Sequence, residues 1–180
     1  MNKKKRPPLL ATPIPKKRRS DVYGELTFKG IINLFKEFDV KKGDKFCDIG
    51  SGYGKITVAY NQMFNNFGYG IENNTERIKI CNKIHNYKLN DFKFINDDYR
   101  NHFDILDQCK FLYANIIAFS IEEVIPLFNY LSKRKTEFTF IHNHSHFRNN
   151  STPIIPLNVT WRNNGHGTIN YYKLNTKLNR

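Results

Sequence analysis

The sequence predicts an α/β fold: a mostly parallel, twisted sheet with helices on both faces and an antiparallel hairpin at its end. Three observations predict it. Short apolar runs alternate with stretches of helical period. A glycine-rich turn, Gly50 to Gly54, follows one of the first runs. The last two runs are joined through Asn163-Asn164-Gly165, a turn signature.

In chain order, Phe28, Ile31, Ile32, Phe35 and Phe38 recur at helical spacing and predict the first helix. Lys45-Phe46-Cys47 opens a strand over 45–49, and the amphipathic Lys55–Tyr60 belongs to a helix over 54–65. Phe67-Gly68-Tyr69-Gly70-Ile71 gives a strand over 67–72, followed by helix 74–87 and strand 92–96. Strand 110–115, helix 120–133 and strand 137–142 continue the alternation, and strands near 155–161 and 167–174 close it. Strands that alternate with helices run parallel, because each crossover helix returns the chain to the same end of the sheet.

The chain has 180 residues, 39% of them hydrophobic, which is enough for one domain with a sizeable core. No apolar run approaches the ~20 residues of a membrane span. The N-terminus is too basic and proline-rich for a signal peptide. Cys47, Cys81 and Cys109 are odd in number and scattered, which argues against a disulfide framework and for a reducing, intracellular setting. The formal net charge is +13. Eight of those charges stand in two clusters, Lys3, Lys4, Lys5, Arg6 and Lys16, Lys17, Arg18, Arg19, with no acid before Asp21. Subtracting the eight leaves +5 on the remainder. Residues 1–20 also carry four prolines and no amphipathic period, so they are expected to be a disordered basic tail, with the folded domain over 21–180. The two clusters suit a bipartite nuclear localisation signal and a grip on DNA phosphates.

The glycine turn reads Asp48-Ile49-Gly50-Ser51-Gly52-Tyr53-Gly54. Glycines let a backbone approach a ligand closely, and Glu72, at the end of the next apolar run, suits a ribose. A dinucleotide fingerprint needs G-x-G-x-x-G, but here the third glycine comes one residue early and Lys55 takes its place. The acid before the first glycine suits a ligand with a cationic end. S-adenosylmethionine carries an ammonium and a sulfonium, and D-x-G-x-G-x-G resembles the first motif of class I methyltransferases.

Further residues narrow the resemblance. Asp21-Val22-Tyr23-Gly24-Glu25-Leu26 stands upstream of the loop, Asp97-Asp98-Tyr99 after the third strand, and Asn115-Ile116-Ile117-Ala118-Phe119 after the fourth. Val159-Thr160-Trp161 and Tyr171-Tyr172 stand near the end. Together, over about residues 21–174, these resemble the disruptor-of-telomeric-silencing (Dot-one-like) family of non-SET histone H3 lysine methyltransferases. Three departures matter. The family's helical region before V-Y-G-E is replaced by some twenty residues, eight of them basic. Ile116 stands for the second Asn of N-N-F-A-F, and Lys55 for a Gln. The first departure makes this a minimal form, of viral or parasitic kind.

The resemblance implies a class I, Rossmann-like fold and S-adenosylmethionine as cofactor, with S-adenosylhomocysteine as product. It implies methylation of the globular-core lysine of histone H3 (its lysine seventy-nine) in nucleosomes, in a nucleus or, for a viral chain, the host's. It places Asp48 at the amino-acid end of the cofactor, with Gly50, Ser51 and Gly52 in close approach. Glu72 falls on the ribose, Asp98 and Tyr99 on the adenine, and Tyr23 and Glu25 on a loop over the methionine moiety. Asn115 anchors the methyl-transfer site, and Phe119, Trp161 and Tyr172 wall the lysine channel. Arg148 and Arg162 are expected on the histone acidic patch. No metal is required. Plainer roles compete: Asp98 as a strand-end cap, Glu25 in a helix's first turn, Phe119 and Trp161 as core. His142, His144 and His146 alternate along a strand end but lack a Cys or acid at matching spacing for a metal. Two other functions stay open: a methyltransferase for RNA, DNA or a non-histone protein, and an inert chromatin-binding module that keeps the fold.

Overall fold

The computed structural model describes residues 24–85, 92–144, 153–160 and 167–176. Helix α1 spans Phe28–Lys36 and strand β1 spans Phe46–Ile49. They are followed by α2 (Lys55–Phe64), β2 (Gly68–Glu72), α3 (Thr75–Ile84) and β3 (Phe92–Asn96). A 3-10 turn, Tyr99–Asn101, and α4 (Phe103–Gln108) lead to β4 (Phe111–Ala114). A second 3-10 turn, Ile116–Ala118, precedes α5 (Ile121–Lys133), and β5 (Phe138–His142), β6 (Ile154–Val159) and β7 (Gly167–Thr176) complete the chain. Each predicted element is present. The sequence reading lacked α4, whose six residues are too few to show a helical period. The Asn163-Asn164-Gly165 turn lies outside the described residues.

The seven strands lie in the order β3-β2-β1-β4-β5-β7-β6. Pairing is parallel from β3 through β5, and β7 runs antiparallel to both β5 and β6. Strands β1 and β4 are buried at every residue, as central parallel strands are when both faces are covered. Their side chains alternate between two cores. Phe46, Phe111 and Tyr113 pack with Leu34, Phe35 and Tyr60 from α1 and α2. Cys47, Ile49 and Leu112 face the other way, toward Leu106, Val124 and Leu127 from α4 and α5. On β7 the same alternation sends Tyr171 to the first core, while Tyr172 packs beside His142.

Two features position the site. The order of strands reverses between β1 and β4, which opens a crevice at the carboxyl ends of the parallel strands. The segment before α1 is also strapped along β6. The Thr27 amide donates to the Asn158 carbonyl at 2.9 Å, and the Thr160 amide donates to the Glu25 carbonyl at 2.9 Å. Thr27 then caps α1 by accepting the Gly30 amide at 3.1 Å. The contact is close enough that a Cβ on Gly30 would stand 2.3 Å from the Asn158 carbonyl oxygen. This strap carries Gly24 and Glu25 to the mouth of the crevice.

Candidate active site

The crevice is a cleft lined by Gly50, Glu72, Asp98, Tyr99, Asn115 and Phe119, among others. A smaller cleft shares Gly24, Gly50 and Asn115 with it and adds Glu25, Asp48, Ser51, Lys55 and Tyr113. Five separate segments therefore converge there: the strap and the ends of β1, β2, β3 and β4.

The glycine turn is folded onto its neighbours. Gly50 sits at φ +79°, and a Cβ there would meet the Phe119 ring at 3.0 Å. The amides of Gly50 and Ser51 both donate to the Ile71 carbonyl, at 2.8 and 3.0 Å. The Gly52 amide donates to Glu72 Oε2 at 2.8 Å, and the Asn74 amide donates to Glu72 Oε1 at 2.9 Å. Arg77 Nη1 stands 3.6 Å from the same Oε1. Glu72 thus ties the turn to the start of α3, and each of its oxygens keeps acceptor capacity for a hydroxyl. The amides of Gly50, Ser51 and Gly52 are spent inside the protein, so this turn is not a phosphate cradle of the dinucleotide kind.

Asp48 is only 2% exposed, and among the described residues its carboxylate accepts no hydrogen bond. Burial, and then the charges of Glu72 and Glu25, push its carboxyl well above the usual carboxylate range. A cation arriving beside it would favour its charged form. Glu25 is buried too, and it pairs with Lys55 at 3.1 Å. The two residues stand thirty apart in the chain, so no local pattern links them.

Asp98 serves as the cap that the plainer reading expected, and it lines the cleft as well. It accepts the Arg100 amide at 2.9 Å and takes the Arg100 guanidinium on both oxygens, at 2.9 and 2.5 Å. That guanidinium hydrogen bond, first among the causes, holds the carboxyl below its usual range. The Tyr99 hydroxyl donates to the Glu123 carbonyl, and the Tyr99 ring lies near-parallel to Phe119, 6.3 Å between centroids. Two aromatic faces therefore border the Asp98 side of the cleft.

Asn115 donates to the Gly24 carbonyl at 3.1 Å and accepts from Asn143 at 2.5 Å, and Asn143 in turn accepts the Ile116 amide at 2.9 Å. This locks the turn after β4 to the strap. Asn143 sits within the histidine run, and nothing in that pattern marks it as a partner of Asn115. His142 proves to be a core ring, packed on Phe128, Phe140 and Tyr172. Burial, and then the charge of His144, push it down to about 3, so it is neutral at ordinary pH. Among the described residues no three His, Cys, Asp or Glu side chains are grouped to hold a metal ion. His146 lies outside them.

Phe119 lines the larger cleft. Tyr172 is buried beside His142 and lines neither cleft, whereas the hydroxyl of its neighbour Tyr171 accepts from Tyr113, a residue of the smaller cleft, at 3.1 Å. Tyr23, Trp161, Arg148, Arg162 and the eight tail cations lie outside the described residues.

The family model for histone methylation protein DOT1 matches residues 16–156. Among solved structures, an RNA methyltransferase from Salinibacter ruber, in complex with S-adenosylhomocysteine, aligns with TM-score 0.58 at 16% identity, over 81% of this chain and 88% of that one. A methyltransferase from Geobacter sulfurreducens, dependent on S-adenosylmethionine and in complex with S-adenosylhomocysteine, aligns with TM-score 0.52 at 15% identity, over 65% and 48%. YjhP from E. coli aligns with TM-score 0.50 at 17% identity, over 64% and 48%. The chain thus spans about half the length of the latter two. At these identities the likeness is one of fold, that of the class I methyltransferases. None of the curated proteins matches significantly.

Proposed function

The chain belongs to the histone methylation protein DOT1 family and has the class I methyltransferase fold, and on that premise we propose that it is an S-adenosylmethionine-dependent protein-lysine N-methyltransferase. Its acceptor is the globular-core lysine of histone H3 in nucleosomes. The observation that carries the reading is the convergence of Asp48, Gly50, Glu72, Tyr99 and Asn115 from four strand ends into adjoining clefts. These residues fit the cofactor. Asp48 is a buried carboxyl without a partner among the described residues, suited to an ammonium. Glu72 is a fixed acceptor for ribose hydroxyls, and Tyr99 and Phe119 offer apolar faces to a base.

When bound, the cofactor supplies an electrophilic methyl on sulfur, and the acceptor supplies an amine with a lone pair. The protein's part is alignment and desolvation. Asn115, held from both sides, fixes the turn that borders both ligands. Phe119 offers an apolar wall that favours the neutral form of an entering lysine, and the family resemblance assigns Trp161 to the same role. The basic tail binds nucleosomal DNA and carries the nuclear address, and Arg148 and Arg162 engage the histone acidic patch.

A methyl-transfer assay with labelled cofactor tests this against nucleosomes, free histones, naked DNA and RNA. Label on the core lysine of H3, and only in nucleosomes, is the expected result. Label on nucleic acid or another protein overturns the acceptor, and failure to bind S-adenosylhomocysteine overturns the cofactor. Deleting residues 1–19 is expected to weaken nucleosome binding and flatten its salt dependence, read from Kd at several salt concentrations. An unchanged slope refutes the tail's role.

A further inference from the structure

Three of the large apolar side chains left in water among the described residues stand in one short stretch. Ile117 is 54% exposed, Ile121 51% and Ile125 45%. Ile117 lines the larger cleft, and Ile121 and Ile125 lie one turn apart on the same face of α5. Grouped apolar side chains at the edge of a cleft mark a surface that something covers. The first turn of α5 also carries Glu122 and Glu123, and neither forms an ion pair among the described residues. The one cation of that helix, Lys133, is at its other end. In a chain of net charge +13, two acids without a cationic partner are out of keeping with the rest.

One segment of this chain carries the complement. Leu9, Leu10 and Ile14 lie between the cations Lys3–Arg6 and Lys16–Arg19. Reach permits the contact. The described residues begin at Gly24, which lines the larger cleft together with Ile117, and Asn115 donates to its carbonyl at 3.1 Å. Ile14 precedes Gly24 by ten residues, a span of up to about 36 Å. Ile121 stands six residues beyond Asn115, at most about 22 Å away, and α5 adds about 6 Å to Ile125. A tether of this kind holds the segment at an effective concentration of about 1 mM. A contact with an intrinsic Kd of about 0.1 mM is then closed about nine-tenths of the time.

We infer that residues 9–14 seat on Ile121 and Ile125 of the same molecule, with Lys16–Arg19 held at Glu122, Glu123 and the acidic border of the cleft. In the free chain the tail then covers the cleft beside Ile117, and a polyanion that takes its cations uncovers it. The seat itself needs neither cofactor nor acceptor. Its release rests on the reading of the tail as a DNA contact.

The test is crosslinking within the full chain, with no cofactor present. The three native cysteines are buried, so surface cysteines report alone. Thr12→Cys is paired with Asn129→Cys, one turn beyond Ile125 on α5. The control pairs Thr12→Cys with Met63→Cys, exposed on α2, which packs on the opposite face of the sheet. With oxidised glutathione, the Asn129 pair is expected to close at least about tenfold faster than the control. Adding Ile121→Ser to that pair is expected to remove the advantage, and so is excess duplex DNA. Equal rates for the two pairs overturn the docking and leave the methyltransferase reading standing. An advantage that survives Ile121→Ser overturns the isoleucine seat, and one that survives DNA overturns the release. Crosslinks between molecules, at a rate that rises with protein concentration, overturn docking in cis and give the face to a second copy.

Discussion

Asp48→Asn is expected to stabilise the protein while it weakens ligand binding, and the two effects share one cause. The Asp48 carboxyl is buried, with Glu72 and Glu25 acting on it as like charges and no hydrogen bond among the described residues. Its pKa in the folded chain is therefore raised above the unfolded value. Between those two values the folded form holds a proton that the unfolded form has released. Stability falls across that window as pH rises, by about 1.4 kcal/mol per pH unit, and above the folded pKa the loss is complete. An amide of the same shape has no such cost. A loss of about 1.4 kcal/mol lowers Tm by about 3–6 °C in a domain of this size. At pH 7 the variant should melt at least that much higher than the parent, and the excess should vanish toward pH 4. Its affinity for S-adenosylhomocysteine should fall about tenfold to a hundredfold, because the ammonium loses its charged partner. Thermal melts between pH 4 and 8 and a binding titration at pH 7 measure both. A variant that melts lower at pH 7, or an excess that does not shrink with acid, refutes the electrostatic argument. Undiminished affinity refutes the site.

Other outcomes follow from named contacts. Asn143→Ala removes the acceptor of the Ile116 amide and the donor to Asn115. It should cost about 1–3 kcal/mol in urea unfolding, and should lower methyl transfer more than cofactor binding, measured side by side. His142 has a folded pKa depressed to about 3, so its contribution to stability is present above about 6.5 and is lost as pH falls from there toward 3, at about 1.4 kcal/mol per pH unit. His142→Phe should remove that acid-side slope from a Tm-versus-pH curve.

The strands and most helices were legible because a parallel sheet covered on both faces needs long apolar runs, and amphipathic helices show their period over ten or more residues. Helix α4 was not legible, since six residues do not complete two turns. The strand order at the end was legible only in part. The pattern of runs gave an antiparallel pair, but nothing in it said that β7, not β6, would lie against β5. The candidate site was legible where chemistry is written locally, in the glycine turn and Glu72. It was hidden where partners come from afar. Glu25 and Lys55 are thirty residues apart, and Asn115 and Asn143 twenty-eight. No local spacing rule links such pairs. Only the strap along β6 and the crossover through β5 bring them together.

The electrostatic balance of the paired clefts explains why burying so many acids is tolerable. Around the glycine turn Asp48, Glu25 and Glu72 are opposed by Lys55 and Arg77, which leaves this set one positive charge short, while Asp97, Asp98 and Glu123 add further acid to the border of the larger cleft. In the free protein burial, and then the charges of Glu72 and Glu25, raise the pKa of Asp48, the member without a direct cationic partner among the described residues. The proposed cofactor carries two cationic groups and one carboxylate, and so brings the single positive charge that the set lacks. Its demethylated product has no net charge. The same deficit that destabilises the empty chain then favours cofactor over product in binding, and the departure of the methyl group weakens the hold on what remains. A site filled by neutral amides would bind the two alike. On this reading the buried acid is retained, against stability, because it couples the charge of the sulfonium to the turnover of the site.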